Sequence, residues 1–132
     1  MLFRSEDSAR LSPNGKWLAY QSTESGQLEV YVTSFPTPTG KWQVSSGGGA
    51  FPVWSPDGKE LYYAGGNKLR AVEITNAEQF SLGPTHDLFP LDANLQQFEV
   101  APDGKRFLIQ RAGPGASPPI SLVLHWEKLV EK

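Results

Sequence analysis

The chain has 132 residues, 39% hydrophobic and 20% charged, with a formal net charge of −2 and a pI near 5.6. This is the composition of one ordinary globular domain, and its Lys and Arg residues are scattered singly, which excludes the basic cluster that nucleic acid requires. There is no cysteine, so disulfides, thiolate nucleophiles and sulfur-ligated metals are excluded, and no window approaches the ~18 apolar residues of a spanning helix, so no membrane contact is expected of this segment.

Met1-Leu2-Phe3-Arg4 reads as a short strand, and the early acids Glu6 and Asp7 are foreign to a secretion signal. Arg10-Leu11-Ser12 is a second short strand. Pro13-Asn14-Gly15 then supplies turn chemistry, with φ preset by Pro and a positive φ available at Gly. Trp17–Ser22 returns as the partner strand of a hairpin. Leu28–Phe35 follows after the turn at Glu24-Ser25-Gly26, and Lys41–Ser45 follows the breaker Pro36-Thr37-Pro38. A glycine-rich link, Ser46-Gly47-Gly48-Gly49, leads to the next group: Phe51–Ser55, Glu60–Ala64, Lys68–Ile74 and His86–Leu91, with a longer connection expected over Thr75–Thr85. The last group has three strands, Gln97–Ala101, Arg106–Arg111 and Ile120–Trp126, around a Gly/Pro loop at 112–119.

The organising signal is a repeat. Ser12-Pro13-Asn14-Gly15-Lys16, Ser55-Pro56-Asp57-Gly58-Lys59 and Ala101-Pro102-Asp103-Gly104-Lys105 each precede an apolar strand, with their prolines 43 and 46 residues apart. Runs such as Leu61-Tyr62-Tyr63-Ala64 and Leu122-Val123-Leu124 are apolar on both faces, so each small sheet is sandwiched between neighbours. Four-stranded antiparallel sheets with this period predict an all-β fold, a β-propeller of three blades over residues about 9–45, 51–91 and 97–126, within a single unit spanning 1–132.

The Ser-Pro-Asp-Gly-Lys core followed by an aromatic-rich strand resembles the TolB-type, WD40-like repeat known as PD40. The stretch from Ser12 through Glu29-Val30-Tyr31-Val32, Phe35-Pro36 and Gly40–Ser45, together with Leu122-Val123-Leu124-His125-Trp126, resembles the C-terminal propeller of bacterial receptor-type serine/threonine kinases. The kinase loops themselves are absent, so the resemblance implies no kinase activity. It implies a protein-interaction platform, a ligand sensor or a gating domain, and a full ring of six blades. Three blades leave two apolar sheet faces open, so closure by a second copy is expected, with residues 1–4 of the partner supplying the outer strand of the third blade. The compartment follows the parent protein: periplasmic or otherwise extracytoplasmic for a receptor-type parent, cytoplasmic for any other.

No chemistry stands out against this frame. His86 and His125 are the only histidines, and neither has metal-ligand spacing to another ligand. Asp57 and Asp103 sit where an Asp bonds nearby backbone amides. No Gly-x-Ser-x-Gly element occurs, and Glu24, Glu60, Glu73 and Glu99 share no motif. Ser46–Gly49 matches no phosphate loop, and the four tryptophans fit packing between blades. The expectation is a non-enzymatic module without cofactor or metal, binding a protein, peptide or other ligand. The runner-up is an accessory propeller of a peptidase-type hydrolase, and the third alternative is a purely structural fragment. Topology puts the links between blades and the second-to-third strand turns at one end. The candidate ligand residues are therefore Glu24, Gly48, Asn67, Asp92, Asn94 and Arg111.

Overall fold

A computed structural model describes residues 9–76, 80–91, 95–104, 106–111 and 120–125. Blade 1 contains β1 (Arg10–Leu11), β2 (Trp17–Ser22), β3 (Glu29–Ser34) and β4 (Lys41–Gln43). Blade 2 contains β5 (Ala50–Trp54), β6 (Glu60–Gly65), β7 (Lys68–Asn76) and β8 (Ser81–Pro90). Blade 3 contains β9 (Leu95–Val100), β10 (Arg106–Arg111) and β11 (Ile120–His125). Each sheet is antiparallel and ordered as in the chain, and there is no helix among the described residues. The protein is all-β, built of propeller blades.

The expected long connection over 75–85 is largely strand. β7 runs on to Asn76, and β8 starts at Ser81 rather than His86. Gly83 and Pro84 hide this strand in the sequence, because both are poor strand formers. They are tolerated here because β8 is the outer strand of its blade and pairs with β7 through several register shifts.

The blade turns explain the repeat. Ser12 Oγ donates to Asn14 Oδ1 (2.7 Å), which also accepts from the Lys16 amide (2.9 Å). Ser55 Oγ donates to Asp57 Oδ1 (2.7 Å), which accepts from the Lys59 amide (2.9 Å). In all three copies the glycine amide donates back to the first turn residue, from Gly15 to Ser12, Gly58 to Ser55 and Gly104 to Ala101. Those glycines have φ of 76°, 74° and 72°, which only glycine adopts without strain. The turns also nest. A Cβ on Gly58 would lie 3.5 Å from Pro13 Cδ, and one on Gly104 would lie 3.7 Å from Pro56 Cδ.

Alternation assigns each strand residue to a face. The forward face of blade 1 (Trp17, Ala19, Val30, Val32) packs on the rear face of blade 2 (Trp54, Leu61, Tyr63, Val72, Ile74). Phe80 seals this interface, with ring centroids 5.2 Å from Trp17 and 5.0 Å from Trp42. The forward face of blade 2 (Val53, Tyr62, Leu69, Ala71) packs on the rear face of blade 3 (Phe107, Ile109), where Tyr62 and Phe107 meet edge-on at 5.1 Å. Burial of side chains of this size contributes about 1.5–3 kcal/mol each. The core therefore lies between blades, and two-faced apolar strands are its sequence signature.

Candidate functional site

The link between blades 1 and 2 is built around a buried carboxylate. Glu29 opens β3 and is 2% exposed. It accepts from Ser45 Oγ (2.5 Å), from Gln27 Nε2 (2.9 Å) and from the Gly48 amide, which is 3.1 Å from each of its oxygens. Ser45 Oγ in turn accepts from the Val30 amide (2.8 Å). Gly47 and Gly48 have φ of 80° and 113°, so the link wraps the carboxylate at positions that favour glycine. A Cβ on Gly49 would fall 2.3 Å from Ser45 Oγ, too close for any side chain. The Gly48 amide is thus taken by the chain's own Glu29, and the Gly49 amide donates to Leu28 O (3.0 Å).

The link ends at Phe51, whose φ of 56° is unusual for a bulky residue. Such a conformation costs about 1–3 kcal/mol and persists only when its surroundings hold it. Its amide donates to Gln21 Oε1 of blade 1 (2.8 Å), and the register of β5 shifts between Ala50 and Val53. The β6–β7 turn lies alongside. A Cβ on Gly65 would be 3.1 Å from the Gly48 carbonyl oxygen. Gly66 and Asn67 form this turn with φ of 60° and 64°, the geometry of a two-residue hairpin turn. Asn67 is exposed, and its carbonyl accepts from the Leu91 amide (2.8 Å). Below the turn, Asp87 lies 3.2 Å from Lys68 Nζ and 3.1 Å from Arg70 Nε.

Of the six candidates from sequence, Gly48 and Asn67 therefore lie on neighbouring loops. Glu24 does not join them. Its carboxylate folds onto the rear face of blade 1 and pairs with Lys41 Nζ, which also lies 5.5 Å from the Tyr31 ring centroid. This pair borders a cavity of about 390 Å³ with Tyr20, Thr33 and Pro38–Gly40. Burial, then the Glu24 charge, then Tyr31, push the Tyr20 phenol up to about 12. Asp92 and Asn94 lie outside the described residues. Arg111 ends β10, and only its backbone is described. Glu29 and Phe51 had no sequence signal, because burial of the one and the backbone of the other are set by groups 16–30 residues away.

At the inner edge of the blades, β1, β5 and β9 border a cleft of about 240 Å³ that includes Arg10, Trp54, Pro56 and Glu99. Arg10 Nη1 donates to Glu99 Oε1 (3.1 Å), and Nη2 donates to Oε2, which ties blade 1 to blade 3. Trp54 Nε1 donates to the Arg10 carbonyl (2.9 Å). On blade 2, His86 Nε2 lies 3.1 Å from Glu73 Oε2, and among the described residues no three His, Asp or Glu side chains gather as a metal site requires.

Antiparallel blades in series, nested at their Pro-Asn/Asp-Gly turns, define a β-propeller. The fold is TolB-like. The chain superposes on TolB from Acinetobacter baumannii with a TM-score of 0.65 at 18% identity, covering 93% of this chain and 33% of that one. A putative TolB from Agrobacterium tumefaciens aligns with a TM-score of 0.51 at 17% identity over 92% of this chain and 43% of that one. Prolyl oligopeptidase B from Galerina marginata aligns with a TM-score of 0.54 at 13% identity over 91% of this chain and 20% of that one. The chain thus spans less than half the length of each of these proteins. No protein-family profile and no curated protein matches it.

Proposed function

We propose that this chain is a non-catalytic binding module. Its ligand, a protein or peptide, meets the loop end formed by residues 46–51 and the Gly66-Asn67 turn. The observation that carries this reading is the fastening of that end: Glu29 holds Ser45 and Gly48, and Gln21 holds the strained Phe51. A link that served only to join two blades needs neither a buried carboxylate nor a bulky residue at positive φ. Rigid loops beside exposed Ser46, Gly47, Gly66 and Asn67 are preorganised, so a partner loses less entropy in docking.

The likeness to prolyl oligopeptidase B supports the second reading, in which the blades accompany a hydrolase. Selection of peptides from a random linear library on the 132-residue chain tests the binding reading and its non-catalytic character. The enriched peptide is expected to remain intact and to lose about tenfold in affinity, ~1.4 kcal/mol, on Ser46→Arg and on Asn67→Gly. Lys59→Ala, at the opposite end, leaves its affinity unchanged. Failure to enrich any peptide, or equal affinity for all four proteins, refutes the binding reading. Cleavage of the peptide by the chain refutes the non-catalytic one.

A further inference from the structure

We propose that the forward face of blade 3 is a docking surface for a second copy of this chain, which presents the rear face of its blade 1. The inference concerns assembly and stands apart from the ligand reading above. It follows from the register of the repeat. Counted from the turn prolines, Ala19, Tyr62 and Leu108 are equivalent, as are Leu18, Leu61 and Phe107. Within the chain, a forward residue of one blade meets a rear residue of the next, as Ala19 and Leu61 share one core and Tyr62 meets Phe107 at 5.1 Å. The next contact in this series is Leu108 against a residue equivalent to Leu18. No described strand lies on either of those faces.

Three observations suit these faces to each other. Leu108 is 42% exposed on the forward face of blade 3, and Leu11, next to the half-buried Leu18, is 47% exposed on the rear face of blade 1. These are two of the three exposed large hydrophobics among the described residues. Each face also borders a cavity: about 310 Å³ beside Glu99, Arg106 and Leu108, and about 390 Å³ beside Tyr20, Thr33 and Lys41. The nested turns point the same way. Pro13 sits over Gly58 and Pro56 over Gly104, so Pro102 is next in line for a Gly15. A second copy supplies that glycine together with Leu18.

Charge does not oppose the contact. On blade 3, Glu99 is already paired with Arg10, and Arg106 Nε lies 3.3 Å from Asp103 Oδ2. On blade 1, Glu24 is paired with Lys41. Because each copy carries one forward and one rear surface, two copies related by a two-fold axis satisfy both contacts and close a ring of six blades. The outer edge of β11 then becomes the place where a strand of the partner can add to blade 3, which has three strands among the described residues.

The absence of native cysteine makes cross-linking a clean test. Leu18→Cys/Leu108→Cys is expected to oxidise to a covalent dimer that dithiothreitol reverses. Leu18→Cys and Leu108→Cys alone are expected to stay uncross-linked. In a separate arm, Leu108→Arg, at an exposed position, is expected to halve the solution mass while keeping the β-sheet circular dichroism spectrum. An intrachain disulfide in the double variant overturns the proposal, since it would mean that blades 1 and 3 of one chain meet directly. So does failure of the double variant to cross-link, or an unchanged mass for Leu108→Arg.

Discussion

Asp57 and Asn14 are fixed by local chemistry: a side-chain oxygen that accepts from the amide two residues on and from the serine two residues back. Both partners are close in sequence, which is why these residues are legible as turn residues and not as catalytic groups. Ala101 replaces the serine in the third copy and forgoes that hydroxyl. Asp57→Ala should cost about 1 kcal/mol, the scale of one side-chain-to-backbone hydrogen bond, and Ala101→Ser should recover a few tenths to about 1 kcal/mol. Urea unfolding midpoints check both, and equal midpoints for Asp57→Ala and the parent would contradict the turn assignment. Glu29 has the same chemistry, but its partners other than Gln27 are distant, and nothing in Leu28-Glu29-Val30 distinguishes it from a solvated strand glutamate. Its role is legible only when Ser45 and Gly48 are seen to close over it.

Strands with both faces apolar were readable as sandwiched elements, and β2, β6 and β10 begin and end within a residue of their expected positions. β8 was not, since Gly83 and Pro84 carry a local signal opposite to the pairing that β7 imposes. Its neighbour Phe80 consequently passed as a loop residue although it seals the interface of blades 1 and 2. The sheets also carry a pH dependence. On blade 1, Tyr20 stacks on Tyr31 with centroids 5.6 Å apart, and its phenol is raised from 10.0 to about 12. On blade 2, burial raises Tyr62 further, and the charge of Glu60, to whose Oε1 it donates (3.0 Å), adds to the effect. The unfolded chain releases these protons first, so the folded state holds more protons above the ordinary tyrosine range. Stability is then full below pH ~10 and falls as pH rises through the folded values. Urea midpoints should be flat from pH 7 to 9 and drop between pH 10 and 12. Tyr20→Phe should reduce that drop, and an identical pH profile for parent and variant would contradict the assignment.

At the scale of the molecule, the repeat gives the blade count and the packing gives a direction, forward face onto rear face. The periodicity of Pro13, Pro56 and Pro102 carried the fold, whereas the loop-end site depended on contacts between separate periods, Gln21 with Phe51 and Gly48 with Gly65. Glu24 illustrates the limit. Its position in the β2–β3 turn placed it at the loop end, and the attraction of Lys41 takes its carboxylate onto the side of the blade. The proposed dimer extends the forward-to-rear packing of blades 1, 2 and 3 to the faces of blades 1 and 3 on which no described strand lies. The most direct measurement is the solution mass of the 132-residue chain by sedimentation equilibrium across a hundredfold range of concentration. Two-fold closure predicts a species of twice the 14.5 kDa chain mass, giving way to monomer only on dilution. A folded species of 14.5 kDa at every concentration would contradict it.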